Sequence, residues 1–302
     1  MTIRGAARQA LVFGGLVSGC RLAPGEPDIY RLWAGGGFGC LEHNGAFDCR
    51  LLDDYIVDRG QADFPTAPIQ AVSFGADDTC VLFPDKTGSC FGENHNHNNE
   101  VPGGTWEELD QGEGQSCGRR ADGSVECWGN GAAGYTPASG PFVELETLGM
   151  GACGRTAEGE IRCWGYDYRG GVRDPGGRWS DFILPNSFLC MLDDEGRITC
   201  AGNNAPPQGP IPKGGGYHHL VGGYRHVCVL DDTNRAHCWG EAGYGADVAP
   251  DGTFIDLAAG HYFTCGLRED HSVECWGCRE EGSGGDPQEY CNWNNPAPWW
   301  DP

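Results

Sequence analysis

The chain has 302 residues, with 43 acidic against 20 basic side chains and a formal net charge of −23. That balance argues against a nucleic-acid partner, because phosphate binding needs clustered Lys and Arg. It also argues against attraction to anionic lipid headgroups. Fifty-one glycines and the lack of a long 3.6-period apolar run argue against a helical domain.

In chain order, residues 1–19 read as a lipoprotein-type signal peptide. Arg4 and Arg8 supply a positive start, and Ala10–Val17 is an apolar core far shorter than the ~20 residues of a membrane span. Val17-Ser-Gly-Cys20 fits a bacterial lipoprotein cleavage box with Cys20 as the lipidated residue. Residues 20–27 form a short tether, so a lipid anchor is the expected membrane contact. Residues 28–302 are the folded domain, with a tail from about 278.

Cysteine pairs set the frame of that domain. They are Cys40/Cys49, Cys80/Cys90, Cys117/Cys127, Cys153/Cys163, Cys190/Cys200, Cys228/Cys238 and Cys265/Cys275. The first cysteines step by 40, 37, 36, 37, 38 and 37 residues, which predicts repeated supersecondary units. Midway between the cysteines lie turn signals: Asn44-Gly45, Thr87-Gly88, Asp122-Gly123, Glu158-Gly159 and Glu195-Gly196. A turn there opposes the two cysteines on antiparallel strands, close enough for a disulfide.

A further strand precedes each hairpin and ends in a glycine-rich corner, as in Phe254–Gly260. After the second cysteine comes Trp-Gly at Trp128, Trp164, Trp239 and Trp276, or Phe91-Gly92 or Ala201-Gly202. Each unit thus has three clear strands, with room for a fourth, irregular one. Small antiparallel sheets repeated radially predict an all-β, seven-bladed propeller of about 37-residue repeats. An open solenoid is the alternative, and it needs polar capping repeats. Ile29–Gly35 reads as a strand that completes the blade begun at Cys265–Trp276 and closes the ring.

Fourteen of the 17 cysteines are used by these pairs, which points to an oxidising compartment outside the cytoplasm. Reduced cysteines filling blade cores are the alternative. Of the remaining three, Cys278 and Cys291 are placed to make an eighth bridge that pins the tail.

The units resemble repeats of the regulator of chromosome condensation family. Its hallmarks are a Gly-x-x-His-[Ser/Thr] corner, an Asp-Gly turn and a Trp-Gly ending. Gly223-Tyr-Arg-His226 matches the corner, and Gly75–Thr79 and Gly260–Thr264 match it without the histidine. Unit five departs most, with Pro185 at the corner, and the corner of unit four is one residue short. The resemblance spans about residues 28–290 and implies the propeller fold. Family members include a nucleotide-exchange factor for a small GTPase, light sensors, ubiquitin-ligase modules and a secreted bacterial inhibitor of β-lactamases. The cysteine-paired, exported form looks like the bacterial branch.

Catalytic signatures are missing: there is no Gly-x-Ser-x-Gly, no P-loop, no His-Glu-x-x-His and no calcium loop of EF-hand type. The pairs Asp53-Asp54, Asp77-Asp78, Asp193-Asp194 and Asp231-Asp232 read as turn residues. His95 and His97, and the pair His218-His219, read as surface loop positions, with a divalent metal as the alternative at His95/His97. Neither a metal nor a cofactor is expected. The four Trp-Gly tryptophans read as blade core.

Chemistry free of fold requirements gathers after the corner glycines. Asp77, Glu113, Tyr224, Arg225, His261 and Tyr262 are expected to project from one propeller face, beside His226 of the corner motif. The loops after Trp-Gly, with His95, His97, Tyr135, Tyr166, Tyr168 and Tyr244, supply a second candidate face. Rigid rings bearing Tyr and Arg suit macromolecular recognition. The chain is therefore expected to be an exported, monomeric, non-catalytic scaffold for a protein or glycan. One alternative is a glycan-acting hydrolase or lyase with carboxylates in the central funnel. The other is an exchange-factor-like regulator.

Overall fold

The computed structural model describes residues 30–277, apart from 36, 44–45, 52–59, 61–62, 76–77, 94–98, 113, 130–136, 149–150, 166–174, 186–187, 203–209, 225 and 241–244. Its 21 strands make seven antiparallel sheets, each of three consecutive strands, and no helix occurs among the described residues. The first strand of each sheet is innermost: β1 (Tyr30–Gly35), β4 (Ala71–Phe74), β7 (Glu108–Gln111), β10 (Phe142–Leu148), β13 (Asp181–Ile183), β16 (His218–Gly222) and β19 (Asp256–Ala259). The expected seven-bladed propeller is the observed fold.

Each hairpin behaves as its sequence requires. In every blade the paired cysteines face each other in register. They are joined in seven disulfides: Cys40–Cys49, Cys80–Cys90, Cys117–Cys127, Cys153–Cys163, Cys190–Cys200, Cys228–Cys238 and Cys265–Cys275. Their Cα atoms are 3.9–4.1 Å apart. The two ends of each bridge differ in burial. The first cysteines, on the middle strands, are 0–1% exposed. Cys49, Cys90, Cys127, Cys163, Cys200, Cys238 and Cys275 lie on the outermost strands and are only half-buried. The alternative of reduced cysteines wholly within blade cores therefore does not describe the second member of any pair.

The turn in unit three is a three-residue loop: Gly123 N–H bonds to Arg120 O, Arg120 N–H bonds to Ser124 O, and Gly123 has φ +80°. That is a type I turn followed by a left-handed residue, one of the common hairpin loops. In unit two the left-handed residue is Lys86 (φ +69°), while Gly88 already pairs with Leu82, so this turn lies earlier than Thr87-Gly88. Asn234 and His271 take the same role in units six and seven.

The core is divided into seven apolar clusters, one at each boundary between neighbouring blades. The first cysteine of every pair sits in the cluster shared with the following blade, so the disulfides and the blade core are one structure. The cluster of Leu32, Leu41, Ala258, Phe263, Cys265 and Leu267 joins blade seven to blade one. Ring closure therefore runs through the N-terminal strand, though by a different route from the expected one. Strand β1 pairs along its whole length with Phe38–His43 of its own blade, and it meets blade seven by apolar packing and a hydrogen bond from the Leu32 amide to Asp256, not by sheet pairing.

Within blades, volume is exchanged between two positions. Gly118, Gly154 and Gly266 each follow a first cysteine, and a Cβ there would meet the ring of Trp106, Phe142 or Phe254 at 2.3–2.6 Å. Those three rings are 0–1% exposed, and each lies 5.5 Å from the Trp-Gly tryptophan of its own blade. Where Met191 or Val229 replaces the glycine, the equivalent rings of Trp179 and Tyr217 are only half-buried. Close packing allows one large group per gap.

Candidate functional site at the channel mouth

The seven inner strands surround one cavity of about 260 Å³. Their inner edges have no sheet neighbour, and unpaired backbone groups demand partners. Side chains of the preceding blade supply them. The Gln111 amide donates to Ser73 Oγ at 3.0 Å, and the Thr147 amide to Asp110 Oδ2 at 2.5 Å. The Leu184 amide donates to Glu146 Oε2 at 3.3 Å, and the Leu220 amide to Asp181 Oδ2 at 3.4 Å. Between blades six and seven, His219 Nε2 lies 2.9 Å from Leu257 O and 2.9 Å from Asp256 Oδ1. From blade seven to blade one, the Leu32 amide donates to Asp256 Oδ2 at 2.9 Å.

Burial lowers the pKa of His219, but the hydrogen bond and charge of Asp256 outweigh it and leave the imidazole raised. Glu108 is raised to about 7, first by burial and then by Glu144 and Asp110, against the opposing pull of Arg119 at 2.9 Å. Glu144 makes the same cross-strand pair with Arg155 at 2.6 Å in the next blade. These acids were not singled out in the sequence. Of the residues that clasp neighbouring blades, Ser73, Asp110 and Glu146 lie opposite the first cysteine of their unit in the register, whereas Asp181 and Asp256 lie opposite Leu192 and Leu267.

At the corner end of the cavity the structure joins three of the expected recognition residues. The Tyr224 amide donates to His261 O at 2.9 Å, locking corner six to corner seven. The Tyr224 ring lies 5.6 Å from that of His261 and 5.8 Å from that of Tyr262, and the His261 and Tyr262 rings are 6.1 Å apart. All three residues are half-buried, and Tyr224 and His261 line the cavity. The corner glycines allow this approach: a Cβ on Gly223 would stand 2.2 Å from Gly260 O.

His226 lies beneath the corner. It is 3% exposed, its Nε2 is 2.8 Å from Thr264 Oγ1, and burial lowers its pKa to about 4. Phe38, Phe188 and Phe263 occupy the same place, two residues before the first cysteine, in blades one, five and seven. Asp77, Glu113, Arg225, Tyr166, Tyr168, Tyr135, Tyr244, His95 and His97 lie outside the described residues, as do Cys20, Cys278 and Cys291. His219 of the His218-His219 pair is buried against Asp256, not set on a surface loop. Among the described residues, no group of three or more His, Cys, Asp or Glu is arranged to hold a metal ion. Asp193 and Asp231 are turn residues, as expected, accepting bonds from Arg197 and Thr233.

No protein-family model matches the chain, and no curated protein matches it. Solved structures do match. One is the ectodomain of the receptor kinase CR4 from Physcomitrella patens, at 25% identity over 85% of this chain and 75% of that one, with a TM-score of 0.68. A second is the CRINKLY WD40 ectodomain of the receptor kinase ACR4 from Arabidopsis thaliana, at 22% identity over 85% and 97%, with a TM-score of 0.63. A third is Prp20p from Saccharomyces cerevisiae, described with its binding to Gsp1p and histones, at 14% identity over 83% and 81%, with a TM-score of 0.62. The chain shares its fold with these propellers, and Prp20 is named in a further match as yeast RCC1.

Proposed function

We propose that this chain is an exported, non-catalytic propeller that binds a protein through the corner mouth of its channel. The observation that carries the reading is the Tyr224, His261 and Tyr262 cluster, three rings drawn from two blades, of which Tyr224 and His261 line one cavity. The disulfides hold that rim rigid, which lowers the ordering cost of binding. Seven cross-strand bridges fit an oxidising compartment. With the lipoprotein-type leader, they support a bacterial cell-envelope location with Cys20 as the anchor. Two of the matching structures are receptor ectodomains, and Prp20p binds proteins.

The test is capture and crosslinking from the intact envelope with residues 21–302 as bait, beside a Tyr224→Ala/Tyr262→Ala variant. A single species crosslinked by wild type and lost in the variant is expected. Equal capture by both moves the binding face elsewhere.

One observation favours the hydrolase reading, namely the carboxyl of Glu108, held near 7 beside the cavity. Its pairing with Arg119 gives it a structural task instead. Turnover of envelope glycans by wild type that is abolished in Glu108→Gln would reverse that assignment.

A further inference from the structure

We infer that the seam closing the ring is a proton-operated latch, in which the Leu257 amide changes partner between Asp256 and His219 and so governs the grip of blade seven on blade one. The backbone is built for it. Lys86, Asn234 and His271 take a left-handed conformation in hairpin turns, but His219 takes it (φ +57°) inside β16, where the register breaks between His218 and Val221. A bulge re-aims a side chain, and a left-handed non-glycine residue persists only where its surroundings hold it. Here the imidazole is turned onto Asp256 and Leu257 of blade seven.

The geometry there offers two arrangements. His219 Nε2 lies 2.9 Å from Asp256 Oδ1 and 3.0 Å from the Leu257 nitrogen, and the same amide lies 3.0 Å from Asp256 Oδ1. These three contacts exclude one another as a set. With a proton on Nε2, the imidazole donates toward Asp256 Oδ1 and Leu257 O, and the Leu257 amide donates to the carboxylate. Without that proton, Nε2 accepts from the Leu257 amide, and Asp256 Oδ1 loses both donors.

Burial gives the exchange its consequence. His219 is 8% exposed and Asp256 3%. A buried carboxylate deprived of its donors and its counter-charge is driven toward water. The other oxygen of this carboxylate holds the Leu32 amide, so loss of the proton loosens the bond between the two ends of the ring.

The strands packed against β16 carry Asp256 on β19, Asp181 on β13 and His226 at the corner end of His226–Leu230, while Phe188–Leu192 carries no titratable group. Burial disfavours the imidazolium of His219, but Asp256, with a smaller part from Asp181, outweighs it and holds the pKa above the ordinary 6.5. The latch is therefore closed below 6.5 and opens as pH rises through the raised value.

The test uses the disulfide-intact chain and native-state hydrogen exchange between pH 6 and pH 8.5. The Leu184 amide, held by Glu146 at another boundary, is the reference. The protection factor of the Leu32 amide should fall roughly tenfold relative to that of Leu184, in step with the imidazole nitrogen shifts of His219. His219→Asn tolerates a left-handed backbone but does not titrate, so its Leu32 protection should be low and independent of pH. Asp256→Asn keeps an acceptor for Leu32; it should abolish the pH dependence and move the His219 titration downward. Equal pH profiles for Leu32 and Leu184, a His219 ring that is neutral at pH 6, or a pH dependence that survives in His219→Asn would overturn the inference.

Discussion

The Leu32 amide donates to Asp256 Oδ2 at 2.9 Å across 224 residues of sequence. Through this bond and the apolar cluster beside it, the last blade grips the first. Asp256 also holds His219 from the blade before, so one carboxylate links three consecutive blades.

Asp256→Ala should therefore destabilise the ring by about 1–3 kcal/mol, because it leaves the Leu32 amide without its acceptor and the buried His219 without its carboxylate partner. Asp181→Ala removes the matching single bond to Leu220 at an interior boundary and should cost less. Urea unfolding of both variants checks the order. A larger loss for Asp181→Ala would remove the special role of the closing boundary.

His226 makes the fold sensitive to acid. Its folded pKa, about 4, lies below the ordinary value of 6.5, so between these limits the unfolded chain binds more protons. Its contribution is present above pH 6.5 and is lost as pH falls toward 4, by roughly 3 kcal/mol in total. His226→Phe, using the residue found at this place in three other blades, should flatten that part of the stability profile. Denaturant midpoints at pH 5 and pH 7 would reveal it.

Glu108 should act in the opposite direction. Its folded pKa of about 7 exceeds the ordinary 4.5, so the native state holds the extra proton and stability falls as pH rises between these values. Glu108→Gln keeps an acceptor for Arg119 while removing the titration. The difference in unfolding free energy between pH 5 and pH 8 should shrink relative to wild type. An unchanged difference would place the titrating group elsewhere.

The exchange of volume inside blades predicts coupled substitutions. Trp106→Ala should cost ~3–5 kcal/mol through the cavity it leaves. Gly118→Val should cost ~1–3 kcal/mol by overpacking against the Trp106 ring. Together with Trp106→Ile it recreates the Ile69/Val81 pairing of blade two and should recover part of that loss. Additive losses in the double variant would show that the two sites do not share one gap.

Intact mass without reductant should lie about 14 Da below the fully reduced value, ~2 Da for each of seven bridges. A loss of about 16 Da would establish an eighth bridge, for which Cys278 and Cys291 are the proposed partners.

Sequence alone determined the blade. A hairpin is a local object: its turn residues, its opposed cysteines and the strand before them lie within about 25 residues, and a seven-fold period leaves few ways to stack such units. Cys117, Asp122-Gly123 and Cys127 could be placed from spacing alone for that reason. Tertiary structure decided what happens between blades. Asp110, Glu146, His219 and Asp256 find their partners 37 to 224 residues away, so their roles as inter-blade clasps left no local pattern. The same holds at the rim, where His226 and His261 belong to similar corner motifs. Only the stacking of blade six on blade seven buries the first imidazole against Thr264 and leaves the second facing the channel.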